Sequence, residues 1–333
     1  VEEVSLNPFV REGKIRVNKL LLAAVLAFAP AAAFAQGDAP VPAPAPAAVA
    51  PPPAPAAAPL PDANPALWVV RDADTTIYLF GTIHLLDGRP WFNDEVKTAF
   101  DASDELVMEA ILPEDPMSLI PMIMRYAVDQ TGRPLSSRLT VAENEALARA
   151  ITPIGIPAAA IERFEPWFAS MMLSVTAAQR AGLDASKGPE TVLTRAAAAR
   201  RMPVAELEGF EWQVRLFDNM PEPLQLATLR ATLRQMNADA GMLAAMLESW
   251  SSGDVEALVR VLDAEESGPP VLRRVMLTNR NAAWARWVHD RLARPGTVFI
   301  AVGAAHLAGR DSVQAVLAAH GINAERVAHG TVR

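Results

Sequence analysis

Two histidines in this chain sit in the same local setting at opposite ends of the sequence. His84 closes IYLFGTIHL, Ile77 to Leu85, and His306 closes FIAVGAAHL, Phe299 to Leu307. Each copy is a four-residue apolar run followed by glycine, two small or apolar residues, histidine and leucine. Neutral imidazole is the commonest protein ligand for a divalent metal and a general base near neutral pH. With only five histidines in 333 residues, a duplicated setting points to one shared site. Two carboxylates end neighbouring apolar stretches, Glu109 in ELVMEA and Glu208 in PVAELE. Two imidazoles and one carboxylate would leave coordination positions open for water and substrate, as a catalytic Zn, Mn, Co or Fe(II) site requires. An ion so held lowers the pKa of its water to roughly 7 and polarises a carbonyl. The expected ligands are therefore His84, His306 and Glu109, with Glu109 also a candidate general base and its role exchangeable with that of Glu208. Arg280 lies on an otherwise apolar helical face with Leu277, Trp284, Trp287 and Val288. Arginine is almost never buried unpaired, so Arg280 is expected to reach Glu109 or Glu208, as a carboxylate orienter or oxyanion clamp.

These groups need strands to deliver them. A short apolar run bounded by glycine reads as a buried strand, with Gly81 and Gly303 letting its end turn sharply. Leu67 to Arg71 and Thr76 to Phe80 read as a hairpin around Asp72-Ala73-Asp74, and Glu105 to Glu109 and Pro203 to Glu208 as further strands. Residues beyond the carboxyl ends of such strands are where ligands bind in open α/β sheets. Helical periodicity fills Pro113 to Arg201 and Glu222 to Leu262. In the first of these, Phe164, Trp167, Phe168, Met171, Met172 and Val175 form a core stripe. One helix is expected over Pro270 to Leu292 and another over Arg310 to His320, before a last strand near Ala324 to Val327.

Composition narrows the function classes. A hydrophobic content of 51% supports a sizeable core. The net charge of -8 and a pI near 5.3 argue against a nucleic-acid surface. The absence of cysteine closes disulfide, thiolate-metal and cysteine-nucleophile chemistry. No HExxH, GxSxG, GxGxxG or GxxxxGK[ST] motif occurs. His289, His320 and His329 are expected to lie outside the site.

The first 35 residues read as a signal peptide. Lys14, Arg16 and Lys19 precede the apolar run Leu20 to Ala29, and Ala33-Phe34-Ala35 supplies a cleavage pattern ahead of Gln36. The run is shorter than the roughly 20 residues a spanning helix needs, so no stable membrane span is expected after cleavage. Residues 36–65 are a Pro/Ala-rich spacer of extended polyproline type, reaching up to roughly 90 Å at ~3.1 Å per residue. Residues 66–333 then make the folded domain. The expected location is the periplasm or the exterior.

The ordered set GTIHL, VMEA, GLD, LEGFEWQ, TNRNAAW and GAAHLAG resembles the TraB/GumN family. That family is similar to the Tiki metalloproteases, within a wider group that includes the haem-uptake protein ChaN and erythromycin esterase-like enzymes. The resemblance implies an α/β (α+β) fold: a central mixed β-sheet flanked by many helices, one domain with a helical insertion. It also implies metal-dependent hydrolysis in the Tiki branch. Family positions fall on Gly81, His84, Glu109, Glu208, Gln213, Arg280, Asn281, Gly303 and His306. In Trp250-Ser251-Ser252-Gly253-Asp254, tryptophan stands where many relatives have tyrosine. The expected function is an exported metal-dependent hydrolase of peptide or amide bonds acting on a peptide or small-molecule substrate. The alternative is a non-catalytic periplasmic binder of a peptide or small ligand that modulates an envelope or polysaccharide process.

Overall fold

The computed structural model describes residues 60–92, 94–113, 115–236, 241–263 and 270–330. The expected signal peptide, and all but the last few residues of the spacer, lie outside them. Six strands form one mixed sheet in the order β4-β3-β5-β2-β1-β6. They are β1 (Leu67–Arg71), β2 (Thr75–Thr82), β3 (Glu105–Met108), β4 (Val204–Glu206), β5 (Gly296–Gly303) and β6 (Glu325–Arg326). β2, β5, β3 and β4 run parallel, while β1 is antiparallel to both β2 and β6. The last strands of the sequence do not lie at one side: β5 inserts between β2 and β3, in register Thr82 to Gly303 and Ala301 to Met108. That insertion brings the third parallel strand end between the first two.

The apolar runs are buried on both faces, which is why they read as near-continuous rather than alternating. Val298, Ile300 and Val302 pack with Ile77, Leu79, Trp284 and Val288 on one face. Phe299 and Ala301 pack with Phe80, Phe100, Trp91 and Leu106 on the other. Phe80, Phe100 and Phe299 are fully buried, each worth ~1.5–3 kcal/mol relative to exposure. Ring pairs at centroid distances of 5.5 to 5.7 Å join them.

The longer helices are α1 (Asp94–Asp101), α2 (Ile120–Tyr126), α3 (Val141–Ile154), α4 (Pro166–Arg180), α5 (Pro189–Arg200), α6 (Phe210–Asp218), α7 (Glu222–Met236), α8 (Gly241–Ser251), α9 (Val255–Asp263), α10 (Asn279–Leu292) and α11 (Val313–Ala319). Thr140 and Glu143 close a reciprocal capping box on α3, and Gly155 ends that helix in the left-handed region. The helical insertion of the sequence reading is assembled from two crossovers, because α3 and α4 from the β3–β4 connection pack on α7 from the β4–β5 connection. The expected stripe lies there: Trp167, Phe168, Met171 and Val175 are buried with Phe217, Leu224 and Met276. Among the described residues no helix is long and apolar enough to cross a membrane.

Three local expectations change. The helix expected over Pro270 to Leu292 is a short turn, Pro270–Arg273, then a π-turn, Arg274–Thr278, then α10. The wider turn rotates the residues of α10 about the helix axis, and such insertions cluster at functional sites. Gly81 and Gly303 are the second-last residue of β2 and the last of β5, and neither takes a positive φ. They do not turn the chain; they provide clearance. A Cβ on Gly81 would stand 3.1 Å from Ala304 Cα, and one on Gly303 3.2 Å from Glu109 Oε1. Finally, β3 and β4 stop at Met108 and Glu206, short of their carboxylates.

Candidate functional site

The strand ends still bring those carboxylates together. Beyond the last ladder pair, Leu207 N donates to Met108 O at 2.9 Å and Glu208 N to Glu109 O at 2.8 Å. Backbone pairing therefore continues into the loops and sets Glu109 beside Glu208. On the other flank, Gly303 N donates to Glu109 Oε1 at 2.6 Å. Gly303's missing side chain leaves room there: a Cβ would meet Glu109 Oε1, His306 Cδ2 at 3.6 Å and His84 Nε2 at 4.0 Å. Glu109, His306 and His84 thus surround one glycine at the C-terminal end of the sheet.

Arg280 occupies the centre. Its Nε donates to Glu208 Oε1 at 2.9 Å, and its Nη2 to Glu208 Oε2 and Glu109 Oε2, both at 2.8 Å. Its Nη1 donates to Met276 O inside the π-turn at 3.2 Å and lies 3.1 Å from His306 Nε2. The guanidinium also sits over the Trp284 ring at 4.8 Å. Arg280 therefore reaches both carboxylates that the sequence offered as alternatives. Gln213 Nε2 bridges the same pair, 3.1 Å from Glu208 Oε2 and 3.3 Å from Glu109 Oε2. Trp284 Nε1 donates to Glu208 Oε1 at 3.1 Å, and its ring packs on His306 with centroids 4.3 Å apart.

The two imidazoles are held differently. Asn281 Nδ2 donates to Asp311 O at 2.6 Å, so its Oδ1 faces His306 Nδ1 at 2.5 Å. The network assigns the proton to Nδ1 and leaves the Nε2 lone pair to Arg280. His84 instead places Nδ1 2.6 Å from Glu190 Oε1, at the first turn of α5. Among the described residues His84 Nε2 makes no hydrogen bond.

Charge follows this wiring. Burial alone would raise the Glu109 carboxyl, but Arg280 and then the two imidazoles outweigh it and hold it down to about 2. Burial and then the Arg280 charge drive His306 down to about 3, so it is neutral. Burial also opposes a charge on His84, yet the Glu190 carboxylate prevails and raises its pKa. Burial opposes ionisation of Glu190 as well, and His84 outweighs it, leaving the carboxyl below its usual value. Glu208 moves up, because burial exceeds the help it receives from Arg280.

A model of the TraB/PrgY/gumN family matches residues 66–326. This chain belongs to that family. It is similar to two relatives, each named Uncharacterized protein YbaP, from Escherichia coli strain K12 and from Shigella flexneri. Each is 27% identical over 259 residues, spanning 76% of this chain and 92% of the relative. No solved structure matches the chain.

In this TraB/PrgY/gumN member, Trp250 is a buttress for β2. Its Nε1 donates to Gly81 O at 2.8 Å, a bond a phenol at that position would make with different reach. His289 is exposed beside Asp290, His320 ends α11, and His329 lies near Glu95; none approaches the site. Sequence reasoning missed Glu190. An acidic residue in the first turn of a helix is common for dipole reasons alone, so only its nearness to His84 distinguishes it.

A divalent ion at this site would have to be held by His84, His306 and Glu109. Each imidazole is oriented through Nδ1 and presents Nε2, as a metal-bound histidine would. The other donors are taken. His306 Nε2 faces a guanidinium nitrogen, and the Glu109 oxygens hold Arg280 and the Gly303 amide. Among the described residues no three His, Asp or Glu side chains are arranged to hold an ion. As placed, the residues do not fit a three-ligand centre, and the site's own cation is Arg280.

Proposed function

We propose that this chain is an exported hydrolase of peptide or amide bonds. The observation that carries the proposal is His84 Nε2, an imidazole nitrogen without a hydrogen-bond partner among the described residues, facing a buried cluster of one guanidinium and two carboxylates at the strand ends. An unpartnered imidazole nitrogen at such a mouth suits general-base activation of water. The Arg280 guanidinium, bonded to both carboxylates, supplies the positive field in which charge on a substrate carbonyl oxygen would develop. A substrate with apolar side chains matches the surroundings. Ile111 and Leu112 follow Glu109, Trp212 precedes Gln213, and all three are exposed; Ile111 N is fixed to Glu206 Oε2 at 2.8 Å.

A second reading has one observation in its favour. Glu109, Glu208, Arg280 and His306 satisfy one another, which suits a site that holds a peptide or small ligand without turning it over in an envelope or polysaccharide process. The test is cleavage of a fluorogenic peptide library by wild type and by His84→Gln. Loss of cleavage in the variant supports the hydrolase; binding of library peptides with no cleavage by wild type supports the binder.

A further inference from the structure

Glu190 has no place in the motifs that led to the site, yet its environment is built around His84. A Cβ on Gly188 would lie 2.3 Å from the His84 carbonyl oxygen, so the start of α5 is seated directly against the His84 backbone and admits no side chain there. Pro189 then occupies the first helical turn, where its fixed φ suits helix initiation. Two residues past that glycine, the Glu190 carboxylate reaches His84 Nδ1 at 2.6 Å. Among the described residues no lysine or arginine pairs with Glu190. Glu109 and Glu208, in contrast, are both spent on Arg280. One buried carboxylate is thus directed at one imidazole, with the Thr82 hydroxyl beside it.

We infer that Glu190 is the positioning residue that holds His84 with its proton on Nδ1, leaving Nε2 as the general base of a hydrolysis that needs no metal ion. This rests on the hydrolase reading above. A carboxylate accepting from Nδ1–H selects the tautomer and steadies the imidazolium that forms on proton transfer. In the step, His84 Nε2 takes a proton from water as the water oxygen bonds to the substrate carbonyl carbon. The carbon–nitrogen bond then breaks, and the same proton passes from Nε2 to the departing amine. The second proton of the water stays with the new carboxyl group. No redox partner or further co-reactant is consumed. The metal-free assignment follows from the donors at the strand ends: with His306 Nε2 and the oxygens of Glu109 and Glu208 engaged, His84 Nε2 alone is left there, and one nitrogen does not make a metal site.

The experiment uses the full chain with ¹⁵N-labelled histidine, in wild type, Glu190→Gln, Glu190→Asp and Glu190→Leu, with circular dichroism to confirm folding. Long-range nitrogen–proton spectra read the His84 tautomer above its titration, with and without EDTA. Hydrolysis of fluorescein-labelled casein and p-nitrophenyl acetate is followed on the same samples. The expected result is an Nδ1–H tautomer in wild type that EDTA leaves unchanged, together with an EDTA-insensitive rate. In Glu190→Gln the tautomer preference is lost and kcat falls ~10²-fold with KM nearly constant, and Glu190→Asp recovers part of both. Retention of the tautomer in a folded Glu190→Gln or Glu190→Leu chain would overturn the inference. So would His84 ¹⁵N shifts or rates that change on EDTA treatment. If wild type cleaves neither probe, the hydrolase reading fails and the base role with it, while the tautomer spectra still show whether Glu190 sets the imidazole.

Discussion

Arg138 and Arg280 lie in different parts of the chain, and each is nearly shut off from solvent between acidic side chains. Arg138 pairs with Asp129 and, at 2.9 Å, with Glu165, and also donates to Arg133 O. Asp129 in turn accepts from Thr131 N at 2.6 Å. That group contains no imidazole. Its contacts close on neighbouring loops and on the start of α7, and the effect is to staple the connections around α3 and α4. Arg280 is likewise enclosed by carboxylates, two where Arg138 has Glu222 at 3.6 Å as a third, but it stands at parallel strand ends, 3.1 Å from one imidazole and close to a second whose Nε2 has no partner among the described residues. A buried arginine pair therefore says little by itself about function. What separates the two sites is the titratable group left facing outward.

Breaking each arginine is the most forceful way to sharpen the contrast. Arg280→Leu leaves Glu109 and Glu208 sharing a buried site without their cation, and Arg138→Leu leaves Asp129 so, each at a cost of ~3–5 kcal/mol. Urea denaturation should show similar losses for both. Turnover per folded molecule should vanish only in Arg280→Leu; a matching fall in folded Arg138→Leu would erase the distinction. A smaller stability effect but a large chemical one is expected for His84→Gln, which keeps a donor toward Glu190. Its unfolding free energy should shift by under about 1 kcal/mol while turnover drops ~10²–10⁴-fold.

Acid should act on the Arg280 site through two groups of the same sign. His306 is at about 3 when folded against an ordinary 6.5, so the unfolded chain takes up a proton between those values that the folded chain refuses. Stability therefore falls as pH drops through that window. Glu109, at about 2 against 4.5, contributes stability that is present above pH 4.5 and lost toward pH 2, about 3 kcal/mol at ~1.4 kcal/mol per pKa unit. His84 runs the other way: its raised pKa contributes stability below 6.5 that is lost as pH rises through its folded value. Urea midpoints against pH for wild type and His306→Gln would check this, since the variant should lose the part of the slope lying above pH 4.5. The smallest effect is reserved for the exposed rim. Trp212→Ala should change stability by less than ~0.5 kcal/mol and raise KM on apolar peptides with kcat unchanged; an unchanged KM would remove the rim from substrate binding.

Much of this arrangement could be read from the chain itself, because two kinds of pattern are local. The apolar runs at Ile77 to Phe80 and Phe299 to Val302 encode strands buried on both faces, and a polar residue at the end of such a run has to lie at a strand end. His84, His306, Glu109 and Glu208 were legible for that reason. Arg280 was legible through its misfit on an apolar helix face. The glycines were legible as special positions but not for the right reason, since a clearance between a backbone and another strand's side chain has no local signature. The π-turn before Arg280 was also hidden: Arg274 to Thr278 has the composition of an ordinary helix, and nothing local marks the wider turn.

Sequence alone thus determined which groups sit at strand ends, because burial and strand periodicity act over a few residues. Only the tertiary structure decided how those groups are wired. Inserting β5 between β2 and β3 joins partners more than a hundred residues apart, and only then does Arg280 reach both Glu109 and His306, and Glu190 face His84. Hydrogen bonds are satisfied in three dimensions at separations of about 3 Å, and neither spacing nor composition along a chain specifies which distant partner will come within that reach.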